Sequence, residues 1–130
     1  MILRDTHVVV WLAFEPARLS RKARTAIDRA RRSGEGLAIC DITLLELTSL
    51  VRKGRIQLEM GLESFLREVE TRFTVLPMSS RACARSQELP KSLPMDSADR
   101  IIAATALAEG LTLLTADGNI RKSQAVPTIW

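Results

Sequence analysis

The stretch from Asp96 to Asp117, DSADRIIAATALAEGLTLLTAD, decides the fold. Asp96 and Asp99 open a helix over Ser97–Glu109, and its run from Ile101 to Ala108 is apolar all round, as a buried helix is. Its alanines predict close packing on both sides. Gly110 ends it, Leu111–Thr115 reads as a short apolar strand, and Asp117-Gly118 as a turn. A buried helix followed at once by a buried strand is half of a strand–helix–strand unit, with acids near the strand's exit and at the helix's entry.

Outward from this unit the same rhythm repeats. Ile2–Arg4 is a strand ending at Asp5, and Thr6–Phe14 is apolar enough for a buried helix. Ser20 is an N-cap for a basic helix reaching about Ser33, broken by Gly34 and Gly36. Leu37–Cys40 is a second strand. Asp41 can cap the next helix, or Thr43 and Glu46 can start it as a capping box; Leu44, Leu45, Leu47, Leu50 and Val51 form its apolar stripe and Gly54 stops it. Further helices are expected at Leu58–Thr71 and Ser80–Leu89, a third strand at Phe73–Leu76, a stiff loop at Pro90–Pro94, and a short edge strand at Val126–Ile129 because of Pro127. Short apolar strands that do not alternate polar with apolar, interleaved with helices, predict a three-layer α/β/α fold: a central parallel sheet of about five strands, covered on both faces. The 130 residues suit one domain, residues 1–130, with no linker or repeat.

Composition narrows the function. Apolar residues make up 46% and charged residues 26%, ordinary for a globular chain. Two Trp, three Phe and no Tyr argue against a stacked-aromatic platform for single strands. Cys40 and Cys83 both read as buried thiols, without the spacing of a zinc site. No signal peptide and no apolar run of spanning length is legible, so a cytoplasmic compartment is expected. One histidine and no nucleophile motif disfavour a serine or cysteine hydrolase; His7, between apolar residues, reads as a packed or hydrogen-bonding side chain. The net charge of +4 is concentrated in Arg18, Arg21, Lys22, Arg24, Arg29, Arg31 and Arg32, with a second knot at Arg52, Lys53 and Arg55. Such clusters suit a polyanion or simply a solvated helix face.

The acids carry the chemistry. In open α/β sheets ligands bind outside the carboxyl ends of the strands. Asp5 follows strand one, Asp41 strand two with Glu46 about a turn beyond, and Asp117 strand four; Asp96 and Asp99 share one face of the Ala-rich helix. Gathered carboxylates repel unless protons or cations neutralise them, and oxygen donors without His or Cys suit Mg²⁺ or Mn²⁺. Asp41 and Asp96 also serve as helix caps, Glu46 as part of a capping box, Asp99 as a first-turn charge and Asp117 as a turn residue. Asp5, between apolar runs, should be buried and therefore partnered.

Asp5-Thr6-His7 with Trp11-Leu12, Ile42-Thr43 with Glu46-Leu47, Asp96 through Leu107, and Leu113 through Asp117 together resemble the motifs of PIN domains, in the form common among VapC-type toxins. Val126 to Trp130 resembles the family's closing segment, and the likeness covers essentially the whole chain. It implies a PIN fold, Mg²⁺- or Mn²⁺-dependent RNA cleavage in the prokaryotic cytoplasm, and neutralisation by a cognate antitoxin. It assigns Asp5 and Asp99 as principal metal ligands and Glu46 and Asp117 as completing the catalytic site. Thr6, Thr115 and Asn119 match auxiliary positions, Asp96 is an extra acid with a capping or supporting role, and Arg29, Arg31, Arg32, Arg52, Lys53 and Arg55 are expected to hold RNA phosphates. The alternatives are a PIN-like module that binds RNA or protein without cleaving, and a metal-dependent phosphatase. The apolar surface offered by Trp11, Leu12, Phe14, Leu44, Leu47, Phe65 and Leu66 predicts an interface. The resemblance suggests a homodimer, and a groove between helices for the antitoxin's tail, with an inserted cation competing with metal.

Overall fold

The protein is described by a computed structural model covering residues 1–130. Strands β1 (Ile2–Arg4), β2 (Leu37–Cys40), β3 (Thr74–Leu76), β4 (Thr112–Leu114) and β5 (Thr128–Ile129) form one sheet in the order β3-β2-β1-β4-β5. Every pairing is parallel, with Leu3 opposite Ala38 on one side and Leu113 on the other. Helices α1 (Thr6–Phe14), α2 (Arg21–Ser33), α3 (Asp41–Arg52), α4 (Leu62–Arg72), α5 (Ser80–Ser86), α6 (Ser97–Glu109) and α7 (Gly118–Ser123) complete the chain. The three-layer α/β/α architecture with five short parallel strands is as expected. No helix is long and apolar enough to cross a membrane.

Each strand sends alternate side chains to opposite faces. Leu3, Ala38, Cys40 and Leu113 meet Ile102, Ala103, Ala104 and Ala106 of α6, whose small side chains let the helix lie close to the sheet. On the other face Leu37 and Leu114 meet Val8 of α1 and Ala23 and Ile27 of α2. Ile39 packs with Val9, Leu47, Phe65 and Val69 there. Leu47 and Phe65, expected among interface residues, are therefore core, and it is Leu45 that faces solvent, at 64% exposure.

Ser20 caps α2 as its position predicts: the Ala23 N–H donates to Ser20 Oγ at 3.0 Å. Ser20→Ala should lower stability by about 1 kcal/mol in urea unfolding; an unchanged midpoint and slope would show that the cap contributes nothing.

Several boundaries differ from expectation. The helix predicted from Leu58 begins at Leu62, because Ile56 turns inward to join Leu47 and Val69 and the chain crosses as a loop before Gly61. The helix from Ser80 stops at Ser86 rather than Leu89. Cys83 is exposed, not buried, because Ala82 and Ser86, four apart, form the inward face of α5. Asp41 does not cap α3; Cys40 holds that position and the Asp41 carboxylate accepts the Met78 N–H at 3.0 Å. No Thr43–Glu46 capping box forms, since both side chains turn to Thr6. Asp117-Gly118 is more than a turn: Asp117 caps the short helix α7. β5 is an edge strand, and Pro127, which lacks an N–H, still accepts the Leu113 N–H at 2.9 Å.

Arg4 is the one fully buried cation. Its guanidinium lies 4.9 Å from the centre of the Phe73 ring, and burial, with Arg31 nearby, pulls its pKa down to about 9, so it stays charged at neutral pH.

Candidate metal centre

The order of strands reverses at β1, which opens a crevice at the carboxyl ends of β1 and its neighbours. Asp5 sits there. Its N–H continues the ladder to the Leu114 carbonyl at 3.2 Å, which fixes the backbone before the side chain is considered. The carboxylate caps α1 by accepting the Val8 N–H at 3.0 Å, and its other oxygen accepts the Thr115 hydroxyl. The Thr115 oxygen in turn accepts the Asp117 N–H at 3.1 Å. One buried threonine thus couples the exits of β1 and β4. Asp117 uses one oxygen, Oδ1, to take the N–H groups of Asn119 and Ile120, at 2.8 and 3.1 Å.

The other side of the crevice is built by α3 and α6, which pack against each other. Thr6, the first residue of α1, donates to Glu46 Oε1 at 2.5 Å and lies 3.1 Å from the hydroxyl of fully buried Thr43. Asp96 caps α6 by accepting the Asp99 N–H at 2.8 Å. Carboxylate oxygens of Glu46, Asp96 and Asp99 all fall within 4.8 Å of one another.

Electrostatics mark the same place. Burial raises the Asp5 carboxyl above the ordinary range, against the hydrogen bonds from Thr115 and Val8 and with Asp117 adding repulsion. Burial also raises Glu46, with Asp96 and Asp5 adding to it. Asp99 is pushed up to about 6, by burial first and then by Asp96, Glu46, Asp5 and Asp117. Asp5, Glu46 and Asp99 therefore sit in one shared field, to which Asp96 and Asp117 contribute. A cation relieves such a field, and a donor set made only of carboxylate oxygens fits a hard divalent ion.

Of the expected site residues, Glu46 and Asp99 are brought together with Asp96, which is both a cap and a member of the cluster. Asp5 and Asp117 stand outside that tight triad and act on it through charge. Thr6 and Thr115 are anchors for Glu46 and Asp5. Asn119 contributes its backbone N–H to Asp117, and its side chain is exposed without a hydrogen bond. His7 is exposed rather than packed in the core, tilted against Trp11 at 6.1 Å between ring centres, and its charge favours ionised Asp5 and Glu46.

The basic residues do not converge on the acids. Arg29, Arg31 and Arg32 lie at the end of α2 that feeds, through Gly34 and Gly36, into the start of β2, the opposite end of the sheet. Arg52 ends α3 and Lys53 and Arg55 follow it, and the helix's twelve residues run roughly 18 Å from the crevice end. Two contributors escaped the sequence reading. Thr43 buttresses Thr6; its spacing of one turn from Glu46 was the available signal. Arg100, beside Asp99, donates to the carbonyls of Pro90, Lys91 and Leu93 and so ties the 90–94 loop to the start of α6.

Comparison with known proteins shows the family of this chain. The PIN domain family profile matches residues 2–125. The chain is 35% identical to Ribonuclease VapC22 of Mycobacterium tuberculosis over 131 aligned positions, 99% of this chain and 98% of that protein. Its fold is similar to the crystal structure of VapBC2 from Rickettsia felis bound to a promoter DNA fragment, with a TM-score of 0.75, 20% identity and coverage of 98% and 97%. FitAcB from Neisseria gonorrhoeae is similar at 27% identity and a TM-score of 0.64, covering 98% of this chain and 96% of that one.

Proposed function

This chain belongs to the PIN-domain family and is a homologue of a VapC ribonuclease, and we propose that it cleaves RNA with a divalent metal ion as the toxin of a toxin–antitoxin pair. The observation that supports this reading most directly is the gathering of carboxylates from β1, α3, α6 and the β4–α7 turn at one end of the sheet. Mg²⁺ or Mn²⁺ is the cation such oxygens suit. Asp5 and Asp99 are assigned as its principal ligands, with Glu46, Asp96 and Asp117 completing the acidic shell.

These carboxylates would hold a divalent ion, and the chemistry it would supply when bound is polarisation of a phosphoryl oxygen and a reactive water near neutral pH. The chain's own residues provide orientation. Val8 and Thr115 hold both oxygens of Asp5, so its carboxylate is set before anything binds. Thr6, backed by Thr43, sets Glu46, and the α6 cap fixes Asp96. Preset ligands need little rearrangement during the reaction.

The antitoxin's place is the groove of about 730 Å³ between α1, α4 and residues 57–60. Its lining is mostly apolar, and Phe14 and Met60 leave 42% and 45% of their surface exposed. A homodimer, on surface such as that of Leu45, belongs to the same proposal.

Purified protein incubated with RNA should give phosphodiester cleavage in Mg²⁺ or Mn²⁺ and none in EDTA. Release of phosphate from a mononucleotide with RNA left intact would replace the nuclease by a phosphatase. Binding of RNA without cleavage in any divalent ion would leave a non-cleaving module.

A further inference from the structure

The surface that borders the acids is aromatic. Thr115, whose hydroxyl holds Asp5, donates its N–H to the Ile129 carbonyl at 3.3 Å, so Trp130 leaves β5 at the carboxyl end of the sheet. On α1, His7 follows Asp5 by two residues, is exposed, and is close enough for its charge to act on Asp5 and Glu46. Trp11 lies one turn further along α1, with its ring centre 6.1 Å from that of His7 and 5.7 Å from that of Trp130. Arg18 ends the short 3-10 turn Pro16–Arg18, and its guanidinium sits 4.4 Å from the centre of the Trp11 ring. Its ion pair is a 3.5 Å contact with Glu15, in which more than half of each side chain is exposed. Both tryptophans of the chain and its one histidine thus share a surface that begins at the acids. The tryptophans are half-buried against the core under α1 and α2. Core packing accounts for them, but not for His7 and Arg18, which stay exposed beside them.

We propose that His7, Trp11 and Arg18 seat one unpaired base of the RNA substrate, that of a nucleotide beside the phosphate held at the metal centre. The proposal rests on the ribonuclease reading and adds residues that determine which substrates fit. Unpaired bases stack on aromatic rings and on guanidinium planes, and every base has a face for this. Trp11 backs the Arg18 guanidinium, so less side-chain freedom is lost when a base arrives. The Arg18 charge also offsets repulsion between the acids and the phosphates of the incoming strand. Three rings are too few for a platform along a strand, as the composition indicates, but they suffice for one nucleotide. A base can reach such a seat only when it is out of a duplex, so the substrate is a loop, bulge or free end.

Trp11 and Trp130 are the chain's two tryptophans, so its tryptophan emission reports on this surface alone. The probes are a labelled mixed-sequence pool of single-stranded RNA of about 12 nucleotides and an abasic ribose-phosphate oligomer of the same length. Each is titrated into Asp99→Asn protein, which keeps the RNA intact, in Mg²⁺ at pH 7.5. The RNA should quench the emission saturably and the abasic oligomer should not. Arg18→Ala or His7→Ala, both at exposed positions, should each weaken RNA binding about tenfold by anisotropy, the loss of a stacked base, and should weaken the abasic oligomer much less. An equal loss for both oligomers makes these side chains phosphate contacts and overturns the proposal. So does RNA that binds without quenching, or an affinity unchanged in both variants. Emission that changes with protein concentration and ignores RNA assigns the surface to a second copy, and this too overturns it. RNA cleavage by the parent protein is read separately. No cleavage with quenching intact sinks the nuclease and leaves the base seat standing; cleavage without quenching sinks the seat alone.

Discussion

Asp99→Asn is expected to lower RNA cleavage about a thousandfold or more, the loss of several kcal/mol of transition-state stabilisation. Asn is the same size, and the α6 cap uses the Asp99 backbone N–H rather than its side chain, so the helix start survives. What disappears is one negative charge from the centre of the acidic field, since Glu46, Asp96, Asp5 and Asp117 all act on Asp99. Asp5→Asn should behave alike, with its amide still able to accept the Val8 N–H. Asp41→Asn is the contrast. Asp41 is an acid of the same helix as Glu46, but its carboxylate serves the Met78 N–H at the start of the chain beyond β3. It should cleave as the parent does. Cleavage retained by highly purified Asp99→Asn protein would remove Asp99 from the metal site, and a loss in all three variants alike would point to folding instead of ligation.

The strands and the positions of the acids were legible because both follow from local chemistry. Ile2–Arg4 and Leu37–Cys40 are apolar runs bounded by a polar residue that must leave the sheet, so Asp5 and Asp41 were placed at the carboxyl end without any tertiary knowledge. What local chemistry does not contain is which helix leans on which. Asp96 was legible as a cap, yet its approach to Glu46 depends on α3 packing against α6, and these are about fifty residues apart in sequence. The same limit explains Leu58. Its apolar spacing matched a helix, but Ile56 and Leu58 serve the core and the groove as a loop. Cys83 and α7 failed for a different reason. Helices of seven and six residues are too short for periodicity to reveal which side faces in. The basic clusters show the same limit: their charge was legible, but the end of the sheet they occupy depends on how α2 and α3 run.

The metal should reveal itself in stability before any substrate is added. Asp99 holds its proton up to about 6 in the folded protein, against an ordinary 3.8, and Asp5 and Glu46 are shifted in the same direction. Between these values the folded state binds more protons than the unfolded one, so stability falls as pH rises through roughly 4 to 6 and the loss is complete above it. Asp99 is only half-buried; discounted for solvent screening, its share is on the order of 1 kcal/mol, roughly 3–4 °C in melting temperature. In EDTA this cluster should therefore make the protein melt lower at pH 7.5 than at pH 5. Mg²⁺ at about a hundred times its dissociation constant adds roughly 2.7 kcal/mol at pH 7.5, where the acids are ionised. At pH 5 it must compete with protons and should add much less. Asp99→Asn should melt higher than the parent in EDTA at pH 7.5 and gain less from Mg²⁺, because the repulsion that the ion relieves has already been reduced. Differential scanning calorimetry of both proteins at the two pH values, with and without Mg²⁺, measures all of these shifts together. A Mg²⁺ effect of equal size at pH 5 and 7.5, or one undiminished in Asp99→Asn, would place the ion somewhere other than these carboxylates.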